Sequence, residues 1–317
     1  MEAQARTELD GEYRALTEGA GYINRSGRGM LTVTGTEAAE LLQGQLTNDI
    51  EALQPGRGCY AALLDRKGHM QADMRVLRLD PDELWLDTEP AAAAAVVRHL
   101  QMYGIGLDAK LEDSAGSRAV TSVIGPGADR AVGAAGLSPE HAQRWLEVGG
   151  AEALAVATDA GLDLVTEGSD AADVRRALAE AGAVEVGEEA AETVRVESGR
   201  PRFGKEMTTR TIPAEAGINE RAVSFTKGCY IGQETVARLH YKGRPNRHLR
   251  GLRLGAPVAD GDPVLLDERE LGAIGTAVVS PAHGPIALAI LRREAEPGAT
   301  VTVGEGIEGK VTDAGAP

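Results

Sequence analysis

The sequence predicts an α+β fold followed by a small all-β segment, and three observations carry that prediction. The first hundred residues read as β-α-β-β-β-α, an order that suits an α+β sandwich better than a doubly wound parallel sheet. A weaker copy of the same strand-then-helix opening recurs from Ala119, suggesting an internal duplication. From Arg250 onward the texture changes to short strands every eight to twelve residues with Gly/Pro turns, the pattern of a small barrel.

Taken in order, a short helix is expected around Glu12–Leu16, and the alternating Met30–Gly35 reads as a strand. Thr36 is positioned to cap a helix from Glu37 to Gln43 in which Ala38, Leu41 and Leu42 share a face, with Gly44 as its stop. Gln45–Asp49 reads as a polar loop. Cys59–Leu64 and Met70–Leu79 are strands joined by the turn Asp65–Gly68. Met70, Ala72, Met74 and Val76 face one way, which leaves Gln71, Asp73 and Arg75 on the open face. Glu83–Thr88 is a further strand, and Thr88, with Pro90 in the first turn, opens a helix to about Tyr103.

In the second part, Ala119–Ile124 is a strand and Gly125-Pro126-Gly127 opens a helix. Ala153–Ala157 and Leu162–Thr166 are short strands, Ser169 or Asp170 caps a helix to Glu180, and a second helix spans Glu188–Arg195. Leu252–Leu254, Val264–Leu266, Ala273–Val279, Ile286–Leu291 and Thr300–Val303 supply the barrel. The expected domains are 1–118, 119–245 (the two interleaving if the duplication folds together) and 246–317.

At 317 residues the chain is long enough for a sizeable core, and with only 2 Phe and 2 Trp that core rests on Leu, Val, Ile and Ala. A net charge of −15 argues against general affinity for nucleic acids or anionic membranes. Cys59 and Cys229 make no disulfide framework, and no C-x-x-C or H-x-x-x-H pair accompanies them as a zinc site would require. The acidic first residues and the absence of a long apolar run point to a soluble protein in the reducing cytoplasm, without a membrane span.

Two motifs are near misses. Gly199-Arg200-Pro201-Arg202-Phe203-Gly204-Lys205 follows a phosphate-binding loop for seven positions, but Glu206 stands where Ser or Thr must meet Mg²⁺. Gly125-x-Gly127-x-x-Arg130 lacks the third glycine of a dinucleotide fingerprint. Neither H-E-x-x-H nor G-x-S-x-G occurs, so nothing suggests a hydrolase.

The stretch with the densest chemistry is Lys227-Gly228-Cys229-Tyr230-Ile231-Gly232-Gln233-Glu234. Its glycines permit positive-φ backbone, and a lysine two residues before a cysteine is placed to favour the thiolate. The string resembles the K-G-C-Y-x-G-Q-E signature of the YgfZ family, folate-binding proteins related to the T-protein (aminomethyltransferase) of glycine cleavage. Gly35–Ile50 is similar to that family's L-Q-G-Q-x-T-x-D block, Leu64–Met70 to its D-x-K-G turn, and Arg195–Pro201 to the R-x-E-x-G-x-P segment shared with T-proteins. The blocks keep the family's order from about residue 30 to 250.

The resemblance implies two ferredoxin-like, T-protein-like subdomains around a central folate hole, plus the C-terminal barrel. It implies tetrahydrofolate or a one-carbon derivative as cofactor. Glu197 takes the role of the glutamate that meets the amino-pyrimidine edge, where a carboxylate accepts two parallel N–H donors. Arg238, Tyr230, Gln45 and Asn48 are the further expected cofactor contacts, and no metal site is expected. Cys229 and Lys227 are the expected reactive pair. Asp73 is the acid/base candidate, although T-proteins carry Asp-Asp where this chain has Ala72-Asp73.

The function so implied is an accessory role in iron–sulfur cluster assembly or repair, and through it tRNA modification. The expected partners are folate and iron–sulfur enzymes or assembly factors. Two readings stand beside it: an aminomethyltransferase passing a one-carbon unit to tetrahydrofolate, and a non-catalytic scaffold. Whether the chain is an enzyme stays open at this point. Arg238, Lys242, Arg244, Arg247, Arg250 and Arg253 put six cations within sixteen residues. Such a run is usually a solvated face. Directly after the signature it could also meet a folate glutamate tail, an RNA or an acidic partner. With only Tyr241 interleaved, it does not read as a sequence-specific nucleic-acid site.

Overall fold

The structure, a computed structural model, describes residues 2–316. The chain divides into two compact units. One holds the residues up to Leu64, Gln71–Ala190 and Arg221–Ile231; the other holds Asp65–Met70, Ala191–Glu220 and the chain from Gly232 onward.

In the first unit α1 (Glu2–Glu18) and β1 (Gly21–Asn24) precede β2 (Gly29–Thr34), α2 (Ala38–Gln45), β3 (Arg57–Leu64), β4 (Met70–Asp80), β5 (Glu83–Thr88), α3 (Pro90–Tyr103) and β6 (Lys110–Asp113). The order then repeats as β7 (Arg118–Ile124), α4 (Ala128–Val132), β8 (Gln143–Val148), β9 (Ala151–Ala157), β10 (Gly161–Glu167), α5 (Ala171–Glu180) and β11 (Val184–Glu185). Each copy folds into its own sheet, in the orders β3-β4-β5-β2-β6 and β11-β1-β7-β10-β9-β8. Met30, Leu77 and Trp85 of the first sheet pack against Val120, Leu154, Val156 and Val165 of the second in a shared core. Helices α4 and α5 bury the outer face of the second sheet through Val132, Val174 and Leu178.

The duplication read from the sequence is visible in the turns that end β2 and β7. Gly35 and Gly125 both take positive φ, at 129° and 115°. A Cβ at either would meet a carbonyl oxygen, that of Asp108 at 2.2 Å or of Gly19 at 2.6 Å. Only glycine fits both places.

The second unit opens with α6 (Glu188–Glu197, its first residues in the first unit), then α7 (Asn219–Ala222, shared likewise) and α8 (Gln233–Lys242). The strands β12 (Arg247–Leu254), β13 (Pro263–Leu266), β14 (Arg269–Ala273), β15 (Thr276–Ser280), β16 (Gly284–Arg292), β17 (Thr300–Val303) and β18 (Ile307–Asp313) follow. They form one sheet, β14-β13-β17-β18-β12-β16-β15, curled so that β14 also lies against β16. Leu252, Val264, Leu291, Val301 and Val311 fill its concave side. It is a half-barrel, where the strand spacing predicts a small barrel. The expected strand 273–279 is two strands, broken at Ile274-Gly275.

Three local expectations are corrected. Thr36 does not cap α2; its hydroxyl donates to Asp108 at 2.6 Å, and Glu37 occupies the cap position. The helix runs through Gly44, which no atom crowds, to Gln45. Thr88 does not cap α3 either, because its hydroxyl donates to the carbonyl of Asp73 at 2.6 Å. Strands β1, β6, β8, β11 and β18 have no counterpart in the sequence reading, being short or half exposed. Among the described residues, no helix is long and apolar enough to cross a membrane.

Candidate functional site

Asp73 is the first site residue whose surroundings differ from expectation. The strand period places it on the face away from Ala72 and Met74, yet that face is not open: Asp73 is 8 % exposed. The hydroxyl of Tyr60, on the neighbouring strand β3, donates to Asp73 Oδ2 at 2.6 Å. Burial pushes the carboxyl up to about 6, against the hydrogen bond from Tyr60 and with the help of the nearby Glu89 charge. A carboxyl poised there exchanges a proton readily near neutrality.

Around it runs a chain of buried ion pairs. Arg28 bonds Asp87, and its Nη1 lies 2.8 Å from Glu89. Arg75 bonds the other oxygen of Asp87 and also Asp163 of β10. Burial works to raise the Asp87 carboxyl, but Arg28 and Arg75 outweigh it and hold Asp87 below the usual range. Asp87 therefore stays charged while Asp73, which accepts only a neutral hydroxyl at Oδ2, titrates.

Tyr60 is itself held in place. Asn48 Nδ2 donates to the Tyr60 carbonyl at 2.8 Å and to the Arg221 carbonyl at 3.0 Å. The Arg221 guanidinium sits 5.1 Å from the centre of the Tyr60 ring, within cation–π range. Asn48, an expected cofactor contact, thus spends its amide on positioning Tyr60. Gln45 is a pin between helices, its Oε1 paired with His99 Nε2 of α3 at 2.9 Å.

Lys227 is buried, with its ammonium turned into the fold. Its ammonium donates to the carbonyls of Gln43, Leu46 (2.7 Å) and Asn48 (3.0 Å), at and beyond the C-terminal end of α2. All three N–H donors are spent on carbonyls, so the lysine fastens the loop. A helix C-terminus is where a cation is favoured. Burial pushes Lys227 down to about 8, so at neutral pH it keeps its proton. The thiol whose titration its charge does influence is Cys59, which burial pushes up to about 12 all the same.

The loop then presents Cys229 to solvent, between exposed Gly228 and buried Tyr230. The Tyr230 ring centre is 5.1 Å from Lys227 Nζ. Gly232, with φ at 84°, turns the chain into α8.

Within the first unit, then, Asp73, Asn48, Lys227 and Tyr230 form one connected set through Tyr60 and the Asn48 carbonyl. Glu197 and Arg238 belong to the second unit. Glu197 ends α6 half-buried and accepts a hydrogen bond from Ser280 Oγ at 2.5 Å. Two residues earlier, Arg195 anchors that helix end on Glu192 (2.9 Å), Glu206 (3.0 Å) and Thr276 Oγ1 (2.8 Å). Glu206 also accepts the Arg202 N–H at 2.9 Å. The residue that breaks the phosphate-loop pattern is thus a structural partner of Arg195. Arg238 is exposed on α8.

Tyr60, Arg28, Glu89, Arg221 and Ser280 were not reached from the sequence. Tyr60 had a signal: it and Asp73 lie equally far from the turn Asp65–Gly68, so hairpin pairing brings them side by side. The others come from distant segments, and no spacing points to them.

The profile of the GCVT N-terminal domain matches residues 2–227. The aminomethyltransferase of Streptomyces avermitilis is 31 % identical, the match spanning 94 % of this chain and 84 % of that protein. The aminomethyltransferase of Rubrobacter xylanophilus is 29 % identical, over 94 % and 82 %. Among solved structures, the glycine cleavage system aminomethyltransferase T from Bartonella henselae superposes with a TM-score of 0.84 at 21 % identity, covering 98 % of this chain and 89 % of that one. That likeness is one of fold: α+β, rich in sheet, with the half-barrel at its C-terminal end.

Proposed function

Since this chain belongs to the family of the GCVT N-terminal domain, we propose that it binds tetrahydrofolate or a one-carbon derivative of it. On this reading it acts as a YgfZ-like accessory protein in iron–sulfur cluster assembly or repair, and thereby in tRNA modification. The observation that carries the accessory role is the presentation of Cys229: an exposed thiol on a loop that Lys227 fastens to three carbonyls. Maintenance by a single thiol fits a chain whose two cysteines are too few to hold a four-thiolate cluster.

Glu197 would hold the amino-pyrimidine edge, its carboxylate suited to paired N–H donors and steadied by Ser280. Tetrahydrofolate supplies a carrier for one-carbon units when bound. The chain's own contribution on this reading is to hold and orient it. Cytoplasmic residence completes the proposal.

A second reading, one-carbon transfer to tetrahydrofolate, is favoured by Asp73, which is buried, bonded by Tyr60 and pushed up to about 6. The first test is tetrahydrofolate binding by the purified protein and by Glu197→Ala. Saturable binding that the substitution abolishes supports the folate site, and no binding by the wild type overturns it. In cells, deletion that lowers iron–sulfur enzyme activity but spares glycine cleavage supports the accessory role. The opposite outcome supports transfer.

A further inference from the structure

Apart from Arg238, the cationic surface that begins on α8, four residues after Cys229, is given no specific role in either reading of the folate chemistry. The helix buries Val236 and turns Arg238, Tyr241 and Lys242 to solvent, spaced i, i+3 and i+4 on one face. Tyr241 is 67 % exposed, among the largest apolar exposures described. Just past the helix, Arg244 enters the wall of a pocket of about 310 Å³ shared with His248, Arg250, Arg293, Glu294 and Glu296.

Two of these walls are fixed in advance. Arg250 Nε donates to the Ala295 carbonyl at 3.0 Å, and the Arg293 backbone N–H to the Asn246 carbonyl at 2.9 Å. The volume is at the low end of ligand pockets, enough for a side chain or two of an extended segment.

The mixed lining selects the ligand. Guanidinium groups take carboxylates, whereas Glu296 and Glu294, the latter already paired with Arg269 at 3.2 Å, accept N–H donors. A peptide with acidic side chains offers carboxylates and amide N–H groups together; a nucleic acid backbone offers only anions. The chain as a whole, at −15, also opposes a long polyanion, while a short one stays within about 8 Å, the screening length, of the cations.

We propose that the exposed face of α8 and the pocket that follows it form a docking site for an acidic peptide segment of a partner protein. The test is fluorescence anisotropy with the full chain and a labelled peptide of alternating glutamate and leucine. Its glutamine counterpart and an oligouridylate serve as competitors of other chemistry. The variants are Lys242→Glu with Arg244→Glu, and Arg130→Glu with Arg144→Glu. All four positions are exposed, and the two pairs change net charge equally.

The expected result is binding of the glutamate peptide that falls with salt, weakens about tenfold in the first variant as two lost surface pairs would allow, and survives in the second. Equal weakening in both variants, equal binding of the glutamine peptide, preference for the oligouridylate, or no binding would each overturn the proposal. Melting temperatures of both variants, expected at the wild-type value, separate lost docking from lost structure.

Discussion

Replacing Asp73 with asparagine tests the central feature of the first unit without changing its shape. The carboxyl moves from its ordinary 3.8 to about 6 on folding, which corresponds to about 3 kcal/mol. The sign follows from the direction. Between those two values the native state keeps a proton that the unfolded chain has released, so wild-type stability falls as pH rises from about 4 to about 6 and stays lower above it. The amide of the variant has no such titration.

The stability of Asp73→Asn relative to wild type should therefore rise by about 3 kcal/mol between pH 3.5 and pH 7, whatever the fixed cost of the amide itself. Urea unfolding reads this directly. With a slope of about 3 kcal/mol per molar, the gap between the two midpoints should shift by about 1 M across that range. Carbonyl-carbon NMR of Asp73 should place its midpoint near 6. A gap that does not move with pH would mean that the carboxyl ionises as it would in water, and the argument from its burial and from Tyr60 would fail. A buried carboxylate that weakens the fold at neutral pH is the trace a working site leaves.

Three further predictions follow from the same geometry. Lys227→Met leaves three carbonyls without their donor and should cost about 2–4 kcal/mol, read by denaturant unfolding, with hydrogen exchange quickening in residues 224–231. Glu206→Ala strips Arg195 of a fully buried partner and should cost about 3–5 kcal/mol; a loss below about 1 kcal/mol would deny that pair its role in fixing the end of α6. Cys229→Ser, at an exposed position, should change stability by less than about 0.5 kcal/mol while abolishing complementation of a deletion strain. Full complementation would remove the thiol from the function.

What the sequence made legible was what short-range rules govern. The duplicated strand-turn-helix opening, the Asp65–Gly68 hairpin and most strands of the half-barrel follow from periodicity and turn residues, whereas the half-exposed β18 does not. The pairing of Tyr60 with Asp73 was within reach of the same counting. Lys227 shows where such reasoning ends: two residues from a thiol in sequence, its ammonium is taken by carbonyls some 180 positions earlier. Proximity along the chain predicts an interaction only when no better acceptor waits elsewhere, and helix ends are good acceptors. The cap expectations at Thr36 and Thr88 failed for a like reason, since each hydroxyl found a partner outside its own helix. The chain of ion pairs Arg28, Asp87, Arg75 and Asp163 joins both sheets of the first unit, and local sequence carries no record of such pairings.

The first unit takes its last piece from Arg221–Ile231, after the chain has already begun the second, and the second holds the turn Asp65–Met70 from within the first. This has a consequence for biosynthesis. On a ribosome, the carbonyls of Gln43, Leu46 and Asn48 emerge long before the lysine that will bind them. The early sheets can assemble, but the segment after α2 stays open until residue 227 clears the exit tunnel. No single cut yields either unit whole, so a truncated nascent chain or a proteolytic fragment ending before that point exposes an unfinished loop for quality-control proteases to find.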